Sequence, residues 1–400
     1  MTRDSQLLTT DEVARLLGVK PATVYAYVSR GLLTSQRNAD GKASLFAKPA
    51  IDAFIAGRRR TTTPGIQTGI TLIRDGSLYF RGRDVCLLAR TESFESVASL
   101  LWTGELEHIL FHAPPEVIDV AKNATAPLPE TARITDRLRV IVAAAAAADP
   151  LRFDTTPAAV VAAGRTLLAA MSIALPFGAI PIDQNAEERN GESALARTLW
   201  FRFTSRRPRN HDINTMNAAL VLLADHDIAA STLAARVAAS TRAHPYAVVS
   251  AGLAALDGPL HGAASSLAHT LLAEAMDRID PVDTIADRLR EGSPVPGFGH
   301  WLYPDGDPRA TTLLDMLDDG PVRKCAERLI EAMQDRSGTH PTIDFALAAL
   351  TLQNKMSPDV GEAIFAVART AGWLAHALEE YADRPLRFRP NGLYAGVHPG

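Results

Sequence analysis

The chain has 400 residues, 47% of them apolar and 22% charged, with a formal net charge of −4. That length exceeds one ordinary core and predicts two or three domains, while the charge offers no overall attraction to nucleic acid or an anionic membrane. The charge is uneven, however: residues 1–60 carry ten Lys and Arg against five Asp and Glu, which predicts a separate basic module ahead of an acidic remainder.

The N-terminus, "MTRDSQLLTTDEVARLL", has no apolar signal core. In "LTTDEVARLLGVKPATVYAYVSRGLL", Thr10 or Asp11 is expected to cap a short helix through Leu17, with Gly18 as its stop. Pro21 then opens a second helix, where its missing N–H costs nothing. "QRNADGKASLF" predicts a hairpin wing turning at Asp40-Gly41, and "AKPAIDAFIAG" a closing helix. The pattern resembles the winged helix-turn-helix of the MerR/excisionase type. The resemblance implies that the second helix, about Pro21 to Arg30, enters the major groove, with Thr23, Tyr25 and Arg30 as candidate contacts. A small helical docking module is the other reading of the same pattern.

"GRRRTTTPG" follows and reads as a linker. "GITLIRDGSLYFRGRD" predicts two strands around an Asp75-Gly76 turn. From "SFESVASLLWTGEL" to about Gly252 helical spacing dominates, with proline-bearing breaks at 113–116, 127–129 and 149–157. The longest apolar run, Val140 to Ala148, is about half a bilayer span, so it reads as a buried helix and no membrane segment is expected. Cys86 and Cys325 are far apart in no metal-ligand spacing, which predicts free thiols in a reducing, cytoplasmic protein.

The C-terminal half holds the residues with chemistry. His226 lies in "LADHDIAAST", His261 in "LDGPLHGAASSLA" and His300 in "PGFGHWLYPDGDPRA", where Arg309 follows on a Gly/Pro-rich loop. Asp344 lies in "HPTIDFALAAL", Arg369 in "AVARTAGWLAHALEEY" and Arg389 in "RFRPNGLYAG". Asp225-His226-Asp227 is not expected to hold a metal, because adjacent helical residues point in different directions. A lone histidine behind turn residues usually serves structure, but two on glycine-flanked loops point to a ligand that the backbone approaches closely. Asp344 could serve only as a helix N-cap. Arg369 sits in an apolar helix face, and a buried guanidinium needs an anionic partner, such as a bound carboxylate. Together these groups suit carbon–carbon bond formation. Arginines clamp a dicarboxylate, a carboxylate takes a proton beside a carbonyl, and histidines donate to developing oxyanions.

At these residues the sequence resembles the citrate synthase family. The matching segments run collinearly from about Gly69 to Gly396: "LYFRGRD", "SFESVASLLWTGEL", "DH…AST", "GPLHG", "GFGH…DPRA", "IDF", "ARTAGWLAH" and "RP…LYAG". The resemblance implies a mainly α-helical, two-domain core: a large domain from 69–262 and 356–400, a small domain from 263–355, with module 1–57 and linker 58–68 added in front. It implies Asp344 as the base acting on acetyl-CoA, His261 as the donor to the thioester oxygen, and His300 as the group polarising oxaloacetate's ketone. His226, Arg309 and Arg369 would hold oxaloacetate. Arg389 would reach a neighbouring subunit's site, so a homodimer is expected. No cofactor and no metal are implied; acetyl-CoA is a substrate. The chain departs from the family at Arg83, Ala229, Ser265, Trp301 and Asn391, which leaves acetyl-CoA against propionyl-CoA open. Citrate synthase, 2-methylcitrate synthase and a metabolite-sensing DNA-binding regulator are the functions to separate.

Overall fold

In the computed structural model, the residues described are 7–17, 21–29, 33, 35–37, 44–48, 51, 65–176, 193–258 and 261–388. The chain divides into two compact units, Met1–Gln67 and Thr68–Gly400.

The first unit has helices Thr10–Leu17 and Pro21–Ser29 and a three-stranded antiparallel sheet. Its middle strand, Ser44–Ala47, pairs with Gln36–Arg37 on one side, as the wing predicts, and with Leu7–Thr9 on the other, which no sequence signal announced. The cap of the first helix is Thr9 rather than Thr10 or Asp11. The Glu12 carboxylate accepts the Thr9 N–H at 2.8 Å, and the Glu12 N–H reaches Thr9 Oγ1 at 3.4 Å, a reciprocal capping box. Leu8, Val13, Val24, Leu33, Phe46 and Ile51 fill a small core of its own. The Asp40-Gly41 turn, Gly18, Arg30 and most of the expected closing helix lie outside the described residues.

The second unit opens on the expected hairpin. Thr71–Arg74 pairs with Ser77–Phe80, and Asp75 and Gly76 both take positive φ (51° and 74°), as a two-residue turn of mirror-image type requires. Helices follow, and their breaks fall at the prolines: Pro115–Thr125, Ile134–Ala148 and Pro157–Ile173. Among the described residues no helix is long and apolar enough to cross a membrane.

Helix Val360–Ala382 is buried along nearly its whole length. It packs against helices Pro157–Ile173, Asn210–Leu223, Ala230–Ser240 and Pro245–Leu256. Small residues permit this. A side chain at Gly252 would strike the Trp373 ring, and one at Gly372 would lie 2.4 Å from the Ala224 carbonyl oxygen and 2.5 Å from Asp225 Oδ1. Around helix Ile343–Gln353 gather helices Ala264–Met276, Pro308–Asp315 and Pro321–Ser337. We expect Gly372→Ala to lower stability by about 1–3 kcal/mol in urea unfolding, since backbone rather than a flexible side chain must give way.

Candidate active site

Segment 224–227 is where helix Asn210–Leu223 ends. These residues are therefore not helical, contrary to the expectation from sequence, and Asp227 adopts a left-handed φ of 54°. Their side chains still diverge. Asp225 turns inward and is fully buried; its Oδ2 accepts from Thr71 Oγ1 at 2.5 Å and pairs with His376 Nε2 at 3.3 Å. His226 turns to the opposite side and lines a cleft of about 500 Å³.

The same cleft is lined by His261, His300, Arg309, Asp344 and Arg369, so it gathers six candidates of the core from five separate stretches of chain. Arg389 lies outside the described residues. Trp301 stands at the cleft with its indole 78% exposed.

Glycines place His300. Gly297 and Gly299 both have φ near 80°, and a side chain at Gly297 would lie 2.9 Å from Phe345 Cβ. This lets segment 297–299 run flat against 340–342. Gly299 N–H donates to the His340 carbonyl and Thr342 N–H to the Gly297 carbonyl, each at 2.9 Å. His300 is thereby pinned beside the start of helix Ile343–Gln353, which carries Asp344. Its Nδ1 accepts the Leu302 N–H at 3.2 Å, so the neutral ring carries its proton on Nε2. Burial, with Arg309 adding to it, holds this imidazole below its ordinary pKa and therefore neutral.

Arg309 is not on the loop. It sits in the first turn of helix Pro308–Asp315, because Asp307 caps that helix and Pro308 opens it. Asp307 is the residue the sequence reading passed over. Its Oδ1 accepts from Arg309 Nε at 2.9 Å and its Oδ2 from Arg309 Nη2 at 2.8 Å, a bidentate pair that is fully buried. Oδ2 also accepts the Ile343 N–H at 3.1 Å. One carboxylate thus orients the arginine and ties it to the helix start beside Asp344. Burial opposes its charge, but the Arg309 guanidinium outweighs burial and holds Asp307 below the usual carboxylate range. The only sequence signal was an Asp before a Pro.

Asp344 lies inside its helix, with Thr342 at the cap position, so it is not an N-cap. It is half-buried and opens onto the cleft. Burial pushes its carboxyl up to about 6, against the pull of Arg309 and with help from Asp307. His261 Nε2 meets Ser231 Oγ at 2.8 Å, and that hydroxyl oxygen already accepts from Trp373 Nε1 at 3.3 Å. Ser231 thus holds the His261 ring by Nε2 and is itself held by Trp373. Burial, then Arg369, brings His261 down to about 4.

Arg369 is fully buried. Its Nε donates to the Leu223 carbonyl at 2.8 Å, its guanidinium stacks 4.5 Å over the Phe365 ring, and its Nη1 has no hydrogen-bond partner among the described residues. Burial lowers it to about 10 despite Asp225. A buried guanidinium with a spare donor on a cleft is an anion site waiting for its anion.

Two buried guanidinium groups, three imidazoles held below their ordinary pKa and a carboxyl raised to about 6 share one cleft, an arrangement suited to acid–base chemistry on an anionic substrate. The family description "Citrate synthase, C-terminal domain" matches residues 60–391, and "Helix-turn-helix domain" matches residues 7–59. Citrate synthase of Haloferax volcanii is 30% identical over 345 residues, covering 80% of this chain and 90% of that one. 2-Methylcitrate synthase 1 of Corynebacterium glutamicum is 29% identical over 350 residues, with coverage of 80% and 90%. The crystal structure of citrate synthase from Thermotoga maritima superposes with a TM-score of 0.68 at 25% identity, covering 85% of this chain and 95% of that one. The chain belongs to the citrate synthase family, with a helix-turn-helix domain at its N-terminus, and is an acyltransferase of that family. The family uses acetyl-CoA as substrate and needs no cofactor.

Proposed function

We propose that the chain condenses acetyl-CoA with oxaloacetate and hydrolyses the citryl-CoA formed, giving citrate and CoA. The observation that carries this reading is Asp344, a carboxyl raised to about 6, lining one cleft with Arg309, Arg369 and three neutral histidines. In this reading His226, Arg309 and Arg369 hold the carboxylates of oxaloacetate, and His300 Nε2–H polarises its ketone. His261 donates to the thioester oxygen while Asp344 takes a proton from the acetyl methyl. The enol carbon then attacks the ketone carbon, whose oxygen gains a proton, and water cleaves the thioester to release CoA. A bare carboxylate cannot remove a thioester α-proton unless the enol oxygen is stabilised in a site shielded from water. Residues 263–355 would close as a small domain over 69–262 and 356–400 to provide that shielding. Arg389 completes the site of the neighbouring subunit in a homodimer. Two free cysteines suit the cytoplasm, and the proposed reaction suits a place in the tricarboxylic acid cycle.

CoA release from acetyl-CoA and from propionyl-CoA, each with oxaloacetate, tests this. Release with neither thioester ends the enzyme reading. Propionyl-CoA turning over faster would establish the second reading, 2-methylcitrate synthase, which the small side chains of Ala229 and Ala264 on the cleft favour by leaving room for a methylene. Discriminating one methylene is worth only about 1–3 kcal/mol.

The helix-turn-helix domain supports a further role as a DNA-binding regulator. Tyr25 is exposed on helix Pro21–Ser29; the Thr23 side chain and Arg30 lie outside the described residues. We expect the full chain to be retained on DNA, with affinity falling as salt rises, and a chain starting at Thr61 to pass through. Equal retention of the two would remove DNA binding from the account.

A further inference from the structure

Tyr303 has no part in the roles above, yet it stands inside the site. Its ring is almost fully buried, within 5.1 Å of the His300 ring and 5.6 Å of the His226 ring, with the Arg309 guanidinium 5.4 Å from its centroid. Its hydroxyl meets His226 Nε2 at 2.9 Å. A 3₁₀-like turn, with Tyr303 N–H donating to the His300 carbonyl at 2.9 Å, holds it there. Tyr303 follows the glycine loop, whereas His226 follows helix Asn210–Leu223, so this buried bond ties together two segments that line the cleft.

We propose that Tyr303 is a positioning residue for the substrate grip: its hydroxyl donates to His226 Nε2, fixes the proton of that imidazole on Nδ1, and so presents Nδ1–H to a carboxylate substrate. A hydroxyl has one proton, and His226 Nε2 is the one hydrogen-bond partner of Tyr303 Oη among the described residues. A ring nitrogen that receives it must be unprotonated, because the ring is neutral: burial, with Arg309, Arg369 and His300 around it, drives His226 well below its ordinary pKa. The Tyr303 hydroxyl stays protonated, pushed up to about 12 chiefly by burial. Nδ1 of His226 makes no hydrogen bond among the described residues, on a ring that lines the cleft. An unprotonated Nδ1 would point a lone pair at the incoming carboxylate and repel it. The tautomer therefore decides whether this buried histidine attracts or rejects the substrate. Tyr303 does for His226 what the Leu302 N–H does for His300: each leaves its imidazole with one fixed N–H.

The choice of oxaloacetate as ligand rests on the proposed function; the tautomer does not. Long-range ¹H–¹⁵N spectra of the full chain with labelled histidine, with His226→Gln identifying the resonance, should show His226 as Nδ1–H without ligand. An Nε2–H signal overturns the proposal outright, whether or not any variant folds. Tyr303→Phe should move the proton to Nε2 and weaken oxaloacetate binding in calorimetry by roughly 10- to 100-fold, the worth of a hydrogen bond to a charged group. KM for the thioester should hold. Adding His226→Gln to Tyr303→Phe should bring little further loss. A tautomer unmoved by Tyr303→Phe, or fully additive losses in the double variant, would refute the coupling. If the wild type binds no oxaloacetate, the functional reading fails while the tautomer result stands.

Discussion

Asp344→Asn is expected to lower kcat by about 10²–10⁴-fold while leaving oxaloacetate affinity nearly unchanged, because positioned acid–base groups supply rate enhancements of that size. The amide keeps the shape and loses the proton acceptor. In the wild type the acid limb of kcat should follow this carboxyl. Asp344 must be ionised to act, its folded-state value is about 6, and activity should fall tenfold per pH unit below that. The same shift has a stability consequence. The folded state holds the Asp344 proton up to about 6, whereas the unfolded chain releases it near the ordinary aspartate value of 3.8. Between those values the folded state binds more protons, so stability declines as pH rises through the window and stays lower above it. Asp344→Asn removes the buried charge. It should therefore raise stability at pH 7 by about 1–2 kcal/mol, a figure discounted because the side chain opens onto the cleft. A rise in Tm together with loss of turnover checks both. A variant that loses activity and stability together would mean that Asp344 serves structure instead.

The two cleft arginines are expected to respond in opposite ways to removal. Arg309→Gln leaves Asp307 buried without its bidentate partner, and breaking a buried pair on one side costs about 3–5 kcal/mol. The loss should reach Asp344 as well, since Asp307 also accepts from the Ile343 N–H. Arg309→Gln should therefore be poorly stable, with both kcat and KM impaired. Arg369→Gln removes a guanidinium whose Nη1 has no partner among the described residues and whose charge burial already disfavours. That chain should be as stable as the wild type or more so, with KM for oxaloacetate raised about 10²-fold or more, the worth of a charge-assisted bidentate contact. Oxaloacetate should raise the Tm of the wild type by mass action and leave that of Arg369→Gln nearly unmoved. Equal destabilisation by both substitutions would contradict this division of roles.

Much of the chain was legible before any fold. The Asp75-Gly76 hairpin, the helix breaks at 113–116, 127–129 and 149–157, and the wing strands rest on local rules: turn residues with positive φ, prolines that end helices, and side-chain alternation. The six candidates that line the cleft were also legible, because ionisable groups beside glycines and within apolar runs are costly unless they meet a ligand. Local reading failed where two local explanations competed. Asp344 looked like a cap and is inside its helix; Arg309 looked like a loop residue and opens a helix; the first cap is Thr9.

Sequence by itself determined the elements, the module ahead of the core and the inventory of chemical groups, since each follows from the preferences of a few adjacent residues. Only the tertiary structure decided their partners. Asp307 reads locally as a cap, and its bond to an amide 36 positions away makes it the anchor of the site. Tyr303 reads as one more aromatic, and its hydroxyl meets a histidine 77 positions away. Hydrogen bonds between distant segments depend on packing that places donor and acceptor within about 3 Å. That packing is a property of the whole buried core around helix Val360–Ala382, not of any stretch short enough to read alone.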